Sequence, residues 1–161
     1  MNKKILIIGQ KGLIGSNLFK YFKKKKIKVS SLSFKKFHNN YKKDINKFDI
    51  VINCTSNKKF VENQYQIQND NDLKIAKKIV NSKTKLVMLS TRKIYKARFN
   101  TKESDKKKPN CNYSKNKLMS EISVTKLLSN KVLILRISNI ISPPNKNKKK
   151  PHKTFSDIFF E

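Results

Sequence analysis

At 161 residues, 37% of them hydrophobic, the chain is long enough for one domain with a buried core and too short for a second. Its formal charge of +29 invites a nucleic-acid reading, because clustered Lys and Arg displace counterions from phosphate backbones. Yet of its 39 basic residues just three, Arg92, Arg98 and Arg136, are arginine; base edges and bidentate phosphate contacts favour Arg, so a Lys excess spread along the chain with Asn and Ile reads as AT-rich codon usage and solvated surface, adhering weakly to polyanions at low salt and holding no specific nucleic acid.

Met1-Asn2-Lys3-Lys4 runs directly into the apolar stretch Ile5 to Ile8, a strand too short for a signal-peptide core or a membrane span. A soluble, cytoplasmic protein with no membrane partner is expected. All three glycines of the chain follow within seven residues, Gly9-Gln10-Lys11-Gly12-Leu13-Ile14-Gly15, and Leu13, Ile14, Leu18, Phe19 and Phe22 recur at helical spacing after them. The window is therefore a strand-to-helix turn, with a helix near Gly12 to Lys24. A dinucleotide pyrophosphate is bound at turns of this kind, where glycine lets backbone N–H groups approach phosphate and the helix N-terminus favours negative charge. A glycine-rich loop with no ligand is the alternative.

Further strands are expected at Ile27 to Leu32, Asp49 to Cys54, Leu86 to Leu89 and Val132 to Ile137, and further helices at Asn71 to Asn81 and Asn112 to Ser129. Strands separated by helices of this length imply right-handed crossovers and a parallel sheet covered on both faces. Phe34 to Lys47 is polar and short, so a third strand ending at Asp44 is brief and has almost no crossover after it. From Ser142 the character changes to a Pro- and Lys-rich loop, and Thr154 to Glu161 opens a new apolar element. The division is thus 1–142, one α/β domain, and 143–161, a loop with the start of another region. Cys54 and Cys111 lack metal-ligand spacing and no metal is expected; both read as free thiols.

Tyr113-Ser114-Lys115-Asn116-Lys117 opens the last predicted helix. Residues four apart share a helix face, so Tyr113 and Lys117 can point into one site, where the cation would favour the phenolate and make Tyr113 a usable acid or base near neutrality. In a chain this rich in Lys the pair alone also reads as surface helix. Its position carries weight: Leu89-Ser90-Thr91-Arg92-Lys93-Ile94-Tyr95 ends a strand at the sheet edge where open α/β folds hold ligands, and a hydroxyl there can bond a substrate oxygen.

In order, Gly9/Gly12/Gly15, Asp44, Asn53 to Ser56, Asn69, Ser90-Thr91 with Tyr95, Glu103, Pro109, Tyr113-x-x-x-Lys117, Glu121, Leu135-Arg136, Asn139 and Pro143 resemble the extended short-chain dehydrogenase/reductase family, in its branch of NAD(P)-dependent nucleotide-sugar epimerases, dehydratases and reductases. The resemblance covers residues 3 to about 145 and implies a Rossmann-type doubly wound parallel sheet. It also implies that Tyr113 is the acid/base, that Lys117 binds the nicotinamide ribose and tunes Tyr113, and that Thr91 is the catalytic hydroxyl with Ser90 beside it. Gly9, Gly12, Leu13, Ile14 and Gly15, then Asp44 and Ile45, Cys54, Thr55, Ser56 and Lys58 become cofactor contacts, and Asn139 joins Ser90 and Thr91 on a nucleotide-sugar substrate. Asn69 is either a structural asparagine or an ordinary polar residue, and Arg136 is structural or near the substrate.

Where NAD-preferring relatives carry an acidic residue after the second strand, the chain has Ser33 followed by Lys35 and Lys36, which leans the cofactor towards NADP. The resemblance further implies a C-terminal substrate-binding region, missing here, so the chain alone is expected to turn over sugars slowly or not at all. A homodimer through Phe155, Ile158, Phe159 and Phe160 stays open, as does a non-catalytic dinucleotide-binding module.

Overall fold

The computed structural model describes residues 3–40 and 45–140. In chain order these form β1 (Ile5–Ile8), α1 (Leu13–Lys24), β2 (Val29–Leu32), α2 (Phe34–Asn40), β3 (Ile50–Asn53), α3 (Lys58–Glu62), α4 (Asn71–Ile79), β4 (Lys85–Thr91), α5 (Asn112–Leu128) and β5 (Val132–Ile137), joined in places by single 3-10 turns. The five strands make one parallel sheet in the order β2-β1-β3-β4-β5. This is a Rossmann-type doubly wound fold: the chain leaves β1 to one side for β2 and returns to the other side for β3, so the switch point lies between β1 and β3.

Alternation along the strands builds two cores. Leu6 and Ile8 of β1, Val51 of β3 and Leu86 and Met88 of β4 pack with Phe37 of α2, Leu73, Ile75, Ala76 and Ile79 of α4, and Val124 and Leu128 of α5. Ile5, Ile7, Val29 and Ile52 face the other way, under Leu18, Phe19 and Phe22 of α1. Strands buried on both faces read as continuous apolar runs, as Ile5 to Ile8 does. Among the described residues the cover on the α1 side ends before β5: Leu133 and Leu135, in register with Val87 and Leu89, are 55% and 43% exposed.

The polar stretch after β2 differs from expectation, because it holds helix α2. Ser33 accepts a hydrogen bond from the Lys36 N–H at 3.2 Å, Phe37 is 1% exposed, and Phe34 stacks on His38 one turn later. Two aromatic residues three apart in a seven-residue segment are too few to show a period. The brief strand expected to end at Asp44 lies outside the described residues, as do Ser142, Pro143 and the apolar cluster from Phe155 to Phe160.

Two glycines are demanded by the fold itself. Gly9 has φ +96, and a Cβ on it would stand 2.6 Å from Cγ2 of Thr55; a Cβ on Gly15 would overlap the Gly9 carbonyl, because α1 crosses directly on the turn. Gly12 meets nothing nearer than 3.5 Å. Gly15→Ala is accordingly expected to lose about 1 to 3 kcal/mol of stability or more, and Gly12→Ala almost none, as denaturant titration would read; equal losses would contradict this packing.

Candidate active site

A cavity of about 380 Å³ opens at the carboxyl ends of the strands. Each element delivers its part by position: α1 contributes Ile14, the residues after β3 contribute Cys54, Thr55 and Ser56, the end of β4 contributes Ser90 and Thr91, α5 presents Tyr113 and Lys117 one turn apart, and Asn139 follows β5. Nine sequence-predicted site residues, up to 125 positions apart in the chain from Ile14 to Asn139, thus line one space. Lys93, Leu89, Ile137, Ser138 and Ile140 join them without having been singled out.

Lys117 is almost wholly buried, and its Nζ donates to Oδ2 of Asp72 at 2.9 Å, with 7% and 4% of the two side chains exposed. Burial alone would push the lysine's pKa down; the Asp72 carboxylate, as charge and as hydrogen-bond acceptor, together with the weaker influence of Tyr113 and Asp70, outweighs it and holds Lys117 above the usual lysine range. Asp72 also accepts from Nδ2 of Asn53 at 2.7 Å. The other end of that amide, Oδ1, takes both the N–H of Thr55 at 2.9 Å and its hydroxyl at 2.7 Å, and Asn71 donates to Thr55 Oγ1. One chain of polar contacts therefore fixes Lys117 to the end of β3.

The two hydroxyls at the end of β4 are used differently. Ser90 donates to Oε1 of Glu121 at 2.5 Å, so it can offer the cavity only acceptor lone pairs. Thr91 Oγ1 accepts from the Lys93 N–H at 3.2 Å, and its proton stays available. Behind them Glu121, 3% exposed, receives Nε and Nη2 of Arg136 at 3.1 and 2.8 Å, while Nη1 reaches the Tyr95 hydroxyl at 2.8 Å, which donates to the Glu103 carbonyl. Arg136 is thus a structural clamp joining β5, α5 and the loop after β4.

The remaining candidates lie elsewhere. Gly9, Gly12, Leu13 and Gly15 form the β1–α1 turn next to Cys54 and Thr55. Ser33 and Lys35 stand exposed at the end of β2, off the cavity. Ile45 is 6% exposed in the core, its carbonyl accepts from Thr84 at 3.0 Å, and it is not among the residues lining the cavity. Asp44 lies outside the described residues. Lys58 is exposed and pairs with Glu62 at 3.9 Å. Asn69 is buried and bonds Gln66 and Asn57, bracing the loop before α4. Both cysteines are free, and burial, seconded by Asp72, pushes the Cys54 thiol up to about 11, so it is a neutral wall and no nucleophile. The sequence reading missed Asp72, whose Asp-x-Asp setting at the start of a helix signals only a cap and first-turn acid.

The parallel sheet, the glycine turn and the Tyr-x-x-x-Lys helix facing one cavity define a protein of the short-chain dehydrogenase/reductase class. Its sequence matches over residues 3–152, and the chain belongs to the RmlD substrate binding domain family. No curated protein sequence matches it. Among solved structures it resembles a dTDP-4-dehydrorhamnose reductase from Clostridium acetobutylicum, at 25% identity and TM-score 0.69 over 83% of this chain and 52% of that one. It also resembles the dTDP-4-dehydrorhamnose reductase from Bacillus anthracis solved with NADP, at 21% and 0.71 over 86% of this chain and 54% of that one. A third likeness is the enzyme WbmG from Bordetella bronchiseptica solved with NAD and UDP, at 18% and 0.68 over 89% of this chain and 55% of that one. The last two identities show the fold alone. The chain spans about half the length of these structures. Among the described residues no helix is long and apolar enough to cross a membrane.

Proposed function

We propose that the protein is an NAD(P)-dependent oxidoreductase acting on nucleotide sugars, with Tyr113 as acid/base, Lys117 as its cationic partner and Thr91 as the hydroxyl that donates to the reacting oxygen. The observation that carries this is the convergence of those three residues in one cavity that begins where the β1–α1 turn ends. Gly12 supports the cofactor half of the reading: nothing among the described residues requires a glycine there, and α1 begins with no side-chain cap and no acidic residue in its first turn. Its positive end is left open to a phosphate group. When bound, a nicotinamide dinucleotide supplies or accepts the hydride. The protein's own part is to hold the sugar against Thr91, pass a proton through Tyr113 and keep a positive charge beside it at Lys117. The reductases and the dinucleotide-bound enzyme it resembles support this assignment.

Calorimetric titration tests it. Binding of NADP(H) or NAD(H) at millimolar strength or better is expected, weakened by Gly12→Val, whose branched side chain would fill the approach to the turn; no binding of either dinucleotide would overturn the proposal. Within it, NADP is expected to bind the tighter, because Ser33 offers no carboxylate to a ribose and already accepts from Lys36 N–H, leaving the exposed Lys35 and Lys36 side chains for a 2′-phosphate. One charge-assisted contact contributes roughly 1.5 to 3 kcal/mol, or about tenfold to a hundredfold in affinity. Tighter binding of NAD at equal salt would remove the preference and leave the fold reading intact.

A further inference from the structure

The Lys117 ammonium of the Tyr-x-x-x-Lys pair does not stand alone beside the phenol. It lies 2.9 Å from Oδ2 of Asp72, and both side chains are more than nine-tenths buried. Asp72 is itself held by Asn53 at 2.7 Å, so the carboxylate cannot swing away without breaking the polar chain that ends at Thr55. The second acid nearby, Asp70, is committed elsewhere: it caps α4 at the Leu73 N–H and accepts from Ser120 and from Tyr65. The other groups facing Lys117 are Tyr113 from its own helix, the Phe60 ring of α3 with its centroid 5.6 Å from Nζ, and, across Asp72, the Cys54 thiol.

We propose that Asp72 is a positioning residue of the active site: it fixes the Lys117 ammonium in one place and keeps it charged, so that what acts on Tyr113 is a buried ion pair and not a free lysine. This rests on the reading of Tyr113 and Lys117 as parts of one site. The physical reason is burial. An ammonium removed from water sheds its proton unless a negative charge stands beside it, and Asp72 is the carboxylate in contact with it. Asp70, the other acid close by, is engaged by the Leu73 N–H, Ser120 and Tyr65, so it does not take the place of Asp72.

The test titrates Lys117 directly, by the NMR signals of its ammonium in the folded protein, assigned by their loss in Lys117→Arg. In the unaltered protein the ammonium is expected to persist above the ordinary lysine range. In Asp72→Asn, which keeps the size and the contact with Asn53, the midpoint should fall by about 1 to 3 pH units, and dinucleotide affinity and any hydride-transfer rate should decline with pH through that same new midpoint. Asp72→Glu should restore the high midpoint. Asp72→Ser, which leaves room for water, serves where the asparagine variant does not fold. An unmoved midpoint in the folded variant overturns the inference, and so does a moved midpoint with cofactor affinity and pH profile unchanged, because the pair would then serve the fold alone. The titration needs no sugar, so failure of nucleotide-sugar turnover would count against the proposed activity and leave this result standing.

Discussion

On the function proposed above, Tyr113→Phe is expected to slow hydride transfer to or from a nucleotide sugar by about 10² to 10⁴-fold, the usual contribution of a positioned proton donor, and to leave dinucleotide affinity within about twofold, as the loss of one hydroxyl contact would. The substitution removes one oxygen and keeps the ring. Tyr113 is half-buried at the mouth of the cavity, and the α5 backbone that carries it is anchored independently by Asn116, which donates to the Phe60 and Asn63 carbonyls at 2.7 and 2.8 Å. The fold should not notice the change. Single-turnover measurement with enzyme in excess separates the chemical step from substrate binding, and so reads Tyr113 even where the sugar is held weakly. A loss below tenfold would transfer the proton to another group, and the candidate within the same cavity is Thr91.

A large effect on stability is expected at the clamp behind the site. Arg136→Met would leave the Glu121 carboxylate, 3% exposed, with the Ser90 hydroxyl and no cation. Removing one partner of a buried pair costs about 3 to 5 kcal/mol because the other charge stays behind, which for a chain of this size lowers Tm by roughly 6 to 20 °C. Replacing Glu121 by Met as well should recover much of the loss, since two apolar side chains leave no stranded charge. The exposed pair Lys58–Glu62, at 3.9 Å with side chains 84% and 57% exposed, is the contrast: Lys58→Ala should change stability by less than about 0.5 kcal/mol. Calorimetric melts of the single and double variants decide the matter, and a loss at Arg136 no larger than that at Lys58 would show that Glu121 finds water.

What the order of residues determined by itself is local. Continuous apolar runs mark strands buried on both faces, and β5 begins and ends at the residues the pattern predicts, Val132 and Ile137. The glycine window placed the β1–α1 turn, and the spacing of Tyr113 and Lys117 put them on one face of α5, because helix and strand periods repeat within a few residues and need no partner to be seen. The α2 helix, built on Phe34 and Phe37, and the five-residue α3 were too short to show such a period.

Tertiary structure decided everything that depends on which distant segments meet. The packing of α4 on α5 brings Asp72 to Lys117 across 45 positions, and that of α5 on β4 brings Glu121 to Ser90 across 31, and nothing in either local sequence announces the partner. The same packing turned Ile45 into core, gave Ser90 an internal partner while leaving the Thr91 proton available, and showed that Gly9 and Gly15 serve the fold where Gly12 does not. Charges and hydroxyls carry no periodic signal, and in the low dielectric of the interior their properties are set by the nearest opposite charge. That neighbour is known only once the chain is folded.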